Sequence, residues 1–408
     1  MSVTAPRRPL AVLVFAQVLG GAGLAAGITV GALLAEDMLG STGLAGVPSA
    51  LFTGGAALGA VGIGRLSQRL GRRAGLLLGY GTGALGSLGV VAAAALHSLL
   101  VLFPALLIYG AGTATNLMAR YAGAELVPPE RRGRAVSTVL FATTLGAVAG
   151  PNLVTVTGDA AVAWGVPRLA GPFLLAAAAF GAAAAVLAVP QGAVGRPERG
   201  AAAGNTETGD RSGPGVQPLR PRGLAAGTAI MILTQLAMIA LMTMTPVHLR
   251  AHGHGTQAAG LVIALHVGAM FLPSPLTGAL VDRIGPYRVA AASGGTLLAA
   301  GLLAALAPSH SVPALAVALV LLGVGWNFGL VSGTALVTDA LPPDRRAATQ
   351  GLVDVGIALA GATGGAASGP VLAAGGFPVL ALACGALALA VVPVAVLAAR
   401  GAGDARRP

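Results

Sequence analysis

The chain has 408 residues, of which 55% are apolar and only 9% are charged, and its mean hydropathy is +0.84. Water-soluble globular proteins carry about 25% charged residues, so this composition excludes a soluble protein and predicts an integral membrane protein. The net charge of +11 comes from arginines scattered in short clusters between apolar runs, a pattern that does not fit a nucleic-acid-binding face.

Twelve apolar runs are long enough to cross a bilayer, which takes about 20 helical residues because each adds about 1.5 Å. The predicted spans begin near Leu10, Leu44, Ala74, Leu99, Ala135, Leu169, Gly223, Gln257, Arg288, Val312, Ala347 and Phe377. The polar segment 191–222 predicts a flexible cytoplasmic linker. The expected fold is all-α, with one six-helix bundle at 1–190 and another at 223–408.

The basic residues fall on one side of this arrangement. All 24 are arginine, and all except Arg168 and Arg250 lie at the termini, in the linker or beside the loops on the same side. Basic residues that flank spans stay in the cytoplasm. We therefore expect a multi-pass protein of the cytoplasmic membrane with both termini inside.

Two loop sequences occur twice. GRLSQRLGRR at Gly64 returns as GALVDRIGPY at Gly278, and ELVPPERRGRA at Glu125 returns as DALPPDRRAAT at Asp339. Both pairs are 214 residues apart. A shared offset predicts a parallel repeat, in which two bundles of the same orientation lie side by side about an axis normal to the membrane.

The repeated loop resembles the inner-loop signature of the major facilitator superfamily: Gly, three residues, Asp, Arg, one residue, Gly and basic residues. The matching positions are Gly64, Arg69, Gly71, Arg72 and Arg73 in the first copy, and Gly278, Asp282, Arg283 and Gly285 in the second. The resemblance covers nearly the whole chain and is strongest to bacterial drug and small-molecule exporters. It implies twelve helices in two bundles with pseudo-two-fold symmetry, and alternating access through a central cavity.

The sequence also departs from the family pattern. Gln68 stands where the signature has Asp, and Leu106 stands where many proton-coupled members carry an Arg. GAVAGP is similar to part of the antiporter signature at Gly146, Gly150 and Pro151, although Val154 replaces a later glycine. This partial match favours export over uptake.

We expect the arginines of the signature, with Asp282, to bridge the two bundles while the cavity faces outward. Arg120 and Glu125, with Asp339 in the second half, are expected to join the same network because Gln68 supplies no acid. The alternative for Arg120 and Glu125 is a charged helix end followed by a proline stop.

Asp354 is the candidate proton-coupling residue. It lies eight residues beyond Arg346, about 12 Å along the eleventh span, where a charged carboxylate costs about 3 kcal/mol. It should therefore face the cavity or a partner, and a purely structural pair with an inner-loop arginine is the alternative. His266 is a second candidate, which either relays a proton near neutral pH or bonds a neighbouring helix.

Uncharged polar residues within the spans should point inward, because lipid offers them no partners. The candidates for the substrate cavity are Gln17, Asn116, Asn152, Gln235, Trp326 and Asn327. Joining helices is their alternative role. Together they favour a neutral or amphiphilic substrate.

The expected function is secondary active transport, namely proton-coupled efflux of drugs or metabolites by antiport, with protons and membrane lipids as further partners. A proton-coupled uptake permease and a non-transporting sensor on the same fold are the alternatives. No P-loop, cofactor motif, metal-ligand set or catalytic constellation is found, so neither an ATP-driven pump nor an enzyme is expected. The outer-loop histidines, His248, His252 and His254, are interpreted as a solvated loop.

Overall fold

The computed structural model describes residues 7–39, 46–189, 219–254, 256–308 and 311–404. Most of the predicted linker, 191–222, lies outside these residues. The described ranges are almost entirely helical and contain no strand. A helix satisfies every backbone hydrogen bond within itself, as a chain surrounded by lipid requires.

The first half of the molecule comprises α1 (Arg7–Leu39), α2 (Gly46–Leu70), α3 (Arg72–Ala95), α4 (Leu99–Glu125), α5 (Arg132–Asn152), α6 (Val154–Ala163) and α7 (Gly171–Ala188). The second half comprises α8 (Pro221–Ala251), α9 (Thr256–Phe271), α10 (Ser274–Ile284), α11 (Pro286–Leu306), α12 (Val312–Ala340), α13 (Arg346–Leu389) and α14 (Val391–Asp404). The predicted span starts agree with these helices to within a few residues.

The helices and the predicted spans do not correspond one to one. The fifth is interrupted at Leu153, between α5 and α6, and the eighth is divided into α9 and α10 just before Ser274. Pro273 lies at that division, where its missing N–H weakens a continuous helix. Within α13, Gly376 has φ +77, a left-handed conformation that suits glycine and separates the eleventh span from the twelfth.

Among the described residues, eight segments are long and apolar enough to cross a membrane by length and composition. One buried apolar core lies in the first half around Tyr80, Tyr109 and Phe180. A second core lies around Leu297, Leu319 and Val331 and extends to Tyr121 and Leu140 of the first half. The halves meet chiefly where α2 packs on α13 and where α5 packs on α10. The prediction of an all-helical, two-bundle membrane protein is confirmed.

The α2–α13 and α5–α10 contacts are two copies of one geometry. Gly64 of α2 lies against the backbone of Ala347 and Gly351, whereas Gly278 of α10 lies against Gly133 and Ser137. Every residue of the first set is 214 positions from its counterpart in the second. The repeat seen in the sequence is therefore a pseudo-two-fold relation in space, and the glycines let the helix backbones approach closely.

Candidate functional site

A fully buried ion pair joins the two halves. Arg120 of α4 has no exposed surface, and its Nη2 lies 2.6 Å from Oδ1 of Asp354 on α13. Its Nε donates to the hydroxyl of Thr334 on α12 at 2.9 Å. One guanidinium therefore links one helix of the first half to two helices of the second.

Neighbouring groups supply further hydrogen-bond partners to Arg120, whereas one oxygen of Asp354 has none within the described ranges. Arg120 also donates to the carbonyl oxygen of Leu117 and, at 3.0 Å, to the hydroxyl of Tyr121. Oδ2 of Asp354 is buried and has no hydrogen-bond partner among the described residues. The carboxylate thus keeps one oxygen available to a proton or another donor.

Arg120 and Thr334 occupy the same position in the two repeats, 214 residues apart. Two equivalent residues can touch only near the axis that relates them, so the ion pair lies close to the pseudo-two-fold axis. The counterpart of Asp354 is Leu140. The backbone is therefore nearly symmetric here, while the charges are not.

The sequence predicts that Arg120 joins Glu125, but the structure does not bring these two side chains together. Five residues of helix turn the chain by about 140° beyond a full turn, so Arg120 and Glu125 face different sides of α4. Glu125 instead forms a two-point pair with Arg72, whose Nε and Nη2 lie 3.1 Å and 2.5 Å from its two carboxylate oxygens. Arg72 also donates to the side chain of Gln350 in the second half.

We call the side that carries the α2–α3, α4–α5, α10–α11 and α12–α13 turns the arginine face. Here Asp282 of α10 accepts backbone N–H groups of Gly133 at 2.8 Å and Arg134 at 3.1 Å. These groups lie in the first turn of α5, the positive end of its dipole. Arg132 forms a further ion pair across the halves with Asp339.

Gln68 takes the place of the missing acid in the α2–α13 contact. Its amide oxygen accepts the N–H of Ala348 at 3.3 Å, in the first turn of α13, and its amide nitrogen donates to the carbonyl oxygen of Asp344. The bond to Ala348 is the repeat equivalent of the bond from Arg134 to Asp282. A neutral amide therefore makes on one side the contact that a carboxylate makes on the other.

Other residues of the signature do not cross between the halves. Arg73 donates to the carbonyl oxygens of Leu187, at 2.5 Å, and Val189, at 2.6 Å, at the C-terminal end of α7 in its own half. Arg69 and Arg283 are exposed on the ends of α2 and α10. Gly71 and Gly285 have φ +91 and +90, the conformation that the two tight turns require.

The polar residues expected in the cavity divide into two groups, and the first joins helices. The side-chain nitrogen of Gln17 donates to the backbone carbonyl oxygen of Asn116 at 2.8 Å and to the Thr143 hydroxyl at 2.7 Å. The side-chain oxygen of Gln17 accepts a hydrogen bond from the hydroxyl of Tyr80 at 2.6 Å. Asn327 donates to the Met270 carbonyl oxygen at 2.7 Å. These contacts correspond to the helix-joining alternative.

The second group, Trp326 and Gln235, lies in the second half, farther from the arginine face than the Arg120–Asp354 pair. The indole N–H of Trp326 donates to the Gln235 side-chain oxygen at 2.7 Å, and the ring of Phe271 meets the Trp326 ring edge-on at 5.6 Å between centroids. Gln235 is only half-buried and lies beside Gly361. Trp326 is buried and Phe271 is half-buried, and a cluster of aromatic rings with one accessible amide can hold an amphiphilic ligand.

The remaining candidates contribute less. Gly146 packs against the backbone of Val18 and Ala22 on α1. Gly150, Pro151 and Asn152 belong to α5, but their side chains lie outside the described residues.

His266 is buried in α9, with Nδ1 2.8 Å from the carbonyl oxygen of Leu319 on α12. Leu319 precedes Thr334 by fifteen residues, about 22 Å along the helix. His266 therefore does not touch the Arg120–Asp354 pair. In the described part of the chain, no three His, Cys, Asp or Glu residues form a group that could hold a metal ion.

Two six-helix bundles that meet around a buried charge pair and close at one face are the architecture of a class of membrane transporters. The family model described as Major Facilitator Superfamily matches residues 10–273 and 227–407, and the chain belongs to this family. It is a multi-pass membrane protein and a transporter of small molecules.

Curated relatives agree with this assignment. The chain is 53% identical over 397 residues to the uncharacterized MFS-type transporter YdeG of Bacillus subtilis, with 96% of this chain and 91% of YdeG covered. It is 51% identical to YddS of the same organism, covering 96% and 90%. It is also 32% identical over 355 residues to the riboflavin transporter RfnT of Brucella anthropi, covering 86% and 85%.

Solved structures share the fold at low identity. The human organic anion transporter MFSD10 superposes with a TM-score of 0.72 at 16% identity, covering 95% of this chain and 99% of MFSD10. The fucose:proton symporter FucP of E. coli gives 0.69 at 16% identity, covering 97% and 99%.

Proposed function

We propose that this protein is a secondary active transporter in which protonation of Asp354 drives the opening of the arginine face. The observation that carries the proposal is the Arg120–Asp354 pair, which is completely buried and joins α4 to α13. Such a pair holds the two halves together only while Asp354 is charged.

The coupling follows from the energetics of buried charge. Removing one partner of a buried ion pair costs about 3–5 kcal/mol, because the other charge stays without compensation. Protonation of Asp354 has the same effect on Arg120, which has only neutral partners left in Thr334, Tyr121 and Leu117. Parting of the halves lets water reach the guanidinium, so the proton and the opening favour each other.

The substrate we propose is a neutral or amphiphilic small molecule that is exported in exchange for protons. Its binding surface would include Trp326, Phe271 and Gln235. Trp326 precedes Thr334 by eight residues, and Gly361 follows Asp354 by seven, which puts this surface about 10–12 Å farther from the arginine face than the ion pair.

We further propose that the protein resides in the cytoplasmic membrane with the arginine face, both termini and the linker inside, and with domains at 1–190 and 223–408. The arginine distribution supports this orientation. Protease or tag accessibility at Met1 and Pro408 in sealed vesicles tests it, and tags found on opposite sides would contradict it.

Proton coupling is tested in inside-out vesicles that carry an imposed pH gradient. Substrates are recognised as compounds that dissipate the gradient, and Asp354→Asn should abolish this response. Asp159→Asn is the matched control, because Asp159 is an exposed carboxylate paired with Arg168 on the opposite side of the molecule. A response that survives in Asp354→Asn would place the coupling elsewhere.

A second candidate function is uptake of a flat heterocyclic compound, which the similarity to a riboflavin transporter favours. A Trp–Phe surface with one amide suits such a ring system. Labelled riboflavin entering cells that cannot make it, and entering less with Trp326→Ala, would support uptake. Greater sensitivity to toxic compounds on loss of the gene, without riboflavin entry, would support export.

A further inference from the structure

A groove of about 620 Å³ opens on the outer surface of the first half, between α2 and α3. We call it the α2–α3 groove. Leu58, Gly62 and Leu78 form part of its apolar wall, and Arg65 and Arg69 lie at its end on the arginine face. All five residues are exposed. Thr82 adds no free hydroxyl, because its Oγ1 donates to the carbonyl oxygen of Leu78.

The dimensions of the α2–α3 groove match one leaflet of a bilayer. Leu58 and Arg69 are eleven residues apart, which is about 16 Å along α2. The hydrocarbon core of a bilayer is about 30 Å thick, so the groove reaches from the membrane surface to near its centre. A single acyl chain that enters from the arginine face would fill it.

The charges at the mouth are not matched by the protein. In the described part of the chain, neither Arg65 nor Arg69 forms a hydrogen bond or an ion pair, although Arg72, close by, is paired with Glu125. Two unmatched guanidinium groups above an apolar groove complement a phosphate headgroup.

Two residues that form the groove are replaced at the equivalent positions of the second half. Its counterpart of Gly62 is Leu276, whose side chain is exposed, and its counterpart of Arg65 is Ala279. A Cβ added at Gly62 would have no neighbouring atom within 4 Å. At these two positions the first half therefore has open space and an additional positive charge, and the second half has neither.

We propose that the α2–α3 groove binds one anionic phospholipid of the leaflet at the arginine face, with its headgroup on Arg65 and Arg69 and one acyl chain against Gly62 and Leu78. The site does not depend on what the protein transports. It would attach lipid to α2, a helix that forms one of the two contacts between the halves.

Native mass spectrometry of the full chain tests the site, with phosphatidylglycerol and phosphatidylcholine of identical acyl chains as probes. Arg65→Ala with Arg69→Ala should weaken phosphatidylglycerol binding about thirtyfold, which corresponds to about 1 kcal/mol for each arginine, and should leave phosphatidylcholine binding unchanged. The matched control is Arg283→Ala with Arg288→Ala, which removes two exposed arginines from the second half and should change binding by less than about threefold.

Gly62→Leu fills the groove and should reduce binding of both lipids, whereas Gly295→Leu, at another open glycine position on α11, should not. Equal losses in the two arginine pairs would reduce the effect to general surface charge and overturn the site. Unchanged lipid binding in Gly62→Leu would also overturn the site. A dimer that is present in the wild type and absent in Gly62→Leu would overturn it as well, because a second copy of the chain would then occupy the groove. If Gly62→Leu does not fold, the two arginine pairs decide.

Discussion

The two contacts between the halves have the same backbone and different chemistry. In α5–α10, the Asp282 carboxylate accepts N–H groups from the first turn of α5, whereas in α2–α13 the Gln68 amide accepts from the first turn of α13. The repeat fixes where the helices meet. The side chains then decide how strongly each contact holds, so one contact is ionic and the other neutral.

The largest effect should come from breaking the Arg120–Asp354 ion pair, which lies between these two contacts. Arg120→Leu leaves Asp354 buried without a cation, and we expect a loss of about 3–5 kcal/mol in stability together with loss of transport. Arg120→Leu with Asp354→Leu should recover the stability but not the transport. Thermal unfolding in detergent and vesicle flux measure the two. A single variant as stable as the wild type would contradict the structural role of the pair.

Gly278→Ala should disturb its contact more than Gly64→Ala. A Cβ at position 278 would overlap the carbonyl oxygen of Gly133, whereas at position 64 the nearest atom is 3.0 Å away. Overpacking costs about 1–3 kcal/mol. Spin labels on the exposed Arg134 and Arg283 positions should report separation of α5 from α10. An equal or larger change across α2–α13 in Gly64→Ala would reverse the ranking.

Asp282→Asn should weaken the ionic contact without preventing membrane insertion. Hydrogen bonds to a charged group contribute about 1.5–3 kcal/mol, and the amide keeps only part of this. We expect about a tenfold shift towards the separated arrangement and slower transport. Spin-label distances and vesicle flux check these effects, and transport at the wild-type rate would remove Asp282 from the gating mechanism.

Gln68→Asp should have the smallest effect, because it makes the second contact resemble the first. A carboxylate at a helix N-terminus adds about 0.3–1 kcal/mol, which predicts about a twofold to fivefold shift towards the closed arrangement. Spin labels at Arg69 and Arg345, both exposed, measure it. A more open contact would show that the bond from Gln68 to the Asp344 carbonyl oxygen matters more than charge.

Most of the fold could be predicted from the sequence because span length and arginine placement are local properties. The repeat offset added the relation between the halves. The interruption at Leu153 was missed, although Gly150 and Pro151 just before it are residues that weaken a helix. Pro273 and Gly376 were visible signals for the other two breaks.

Less of the site could be predicted, because its contacts join residues far apart in sequence. Asp354 was found through the cost of a carboxylate in a span, but its partner, Arg120, is 234 positions away. Helical angle alone separates Arg120 from Glu125, and that signal was available. For Gln17 and Asn116, no pattern in the sequence distinguishes a cavity wall from a helix junction.

The meeting of Arg120 with Thr334 near the pseudo-two-fold axis has a consequence for how such a protein can be built. A dimer of identical six-helix chains would bring two copies of the same side chain to this point, so any charge there would be doubled and would repel itself. One continuous chain is free to hold a single cation and a single anion. Covalent joining of the halves is what allows a single copy of each charge at the centre of a symmetric fold.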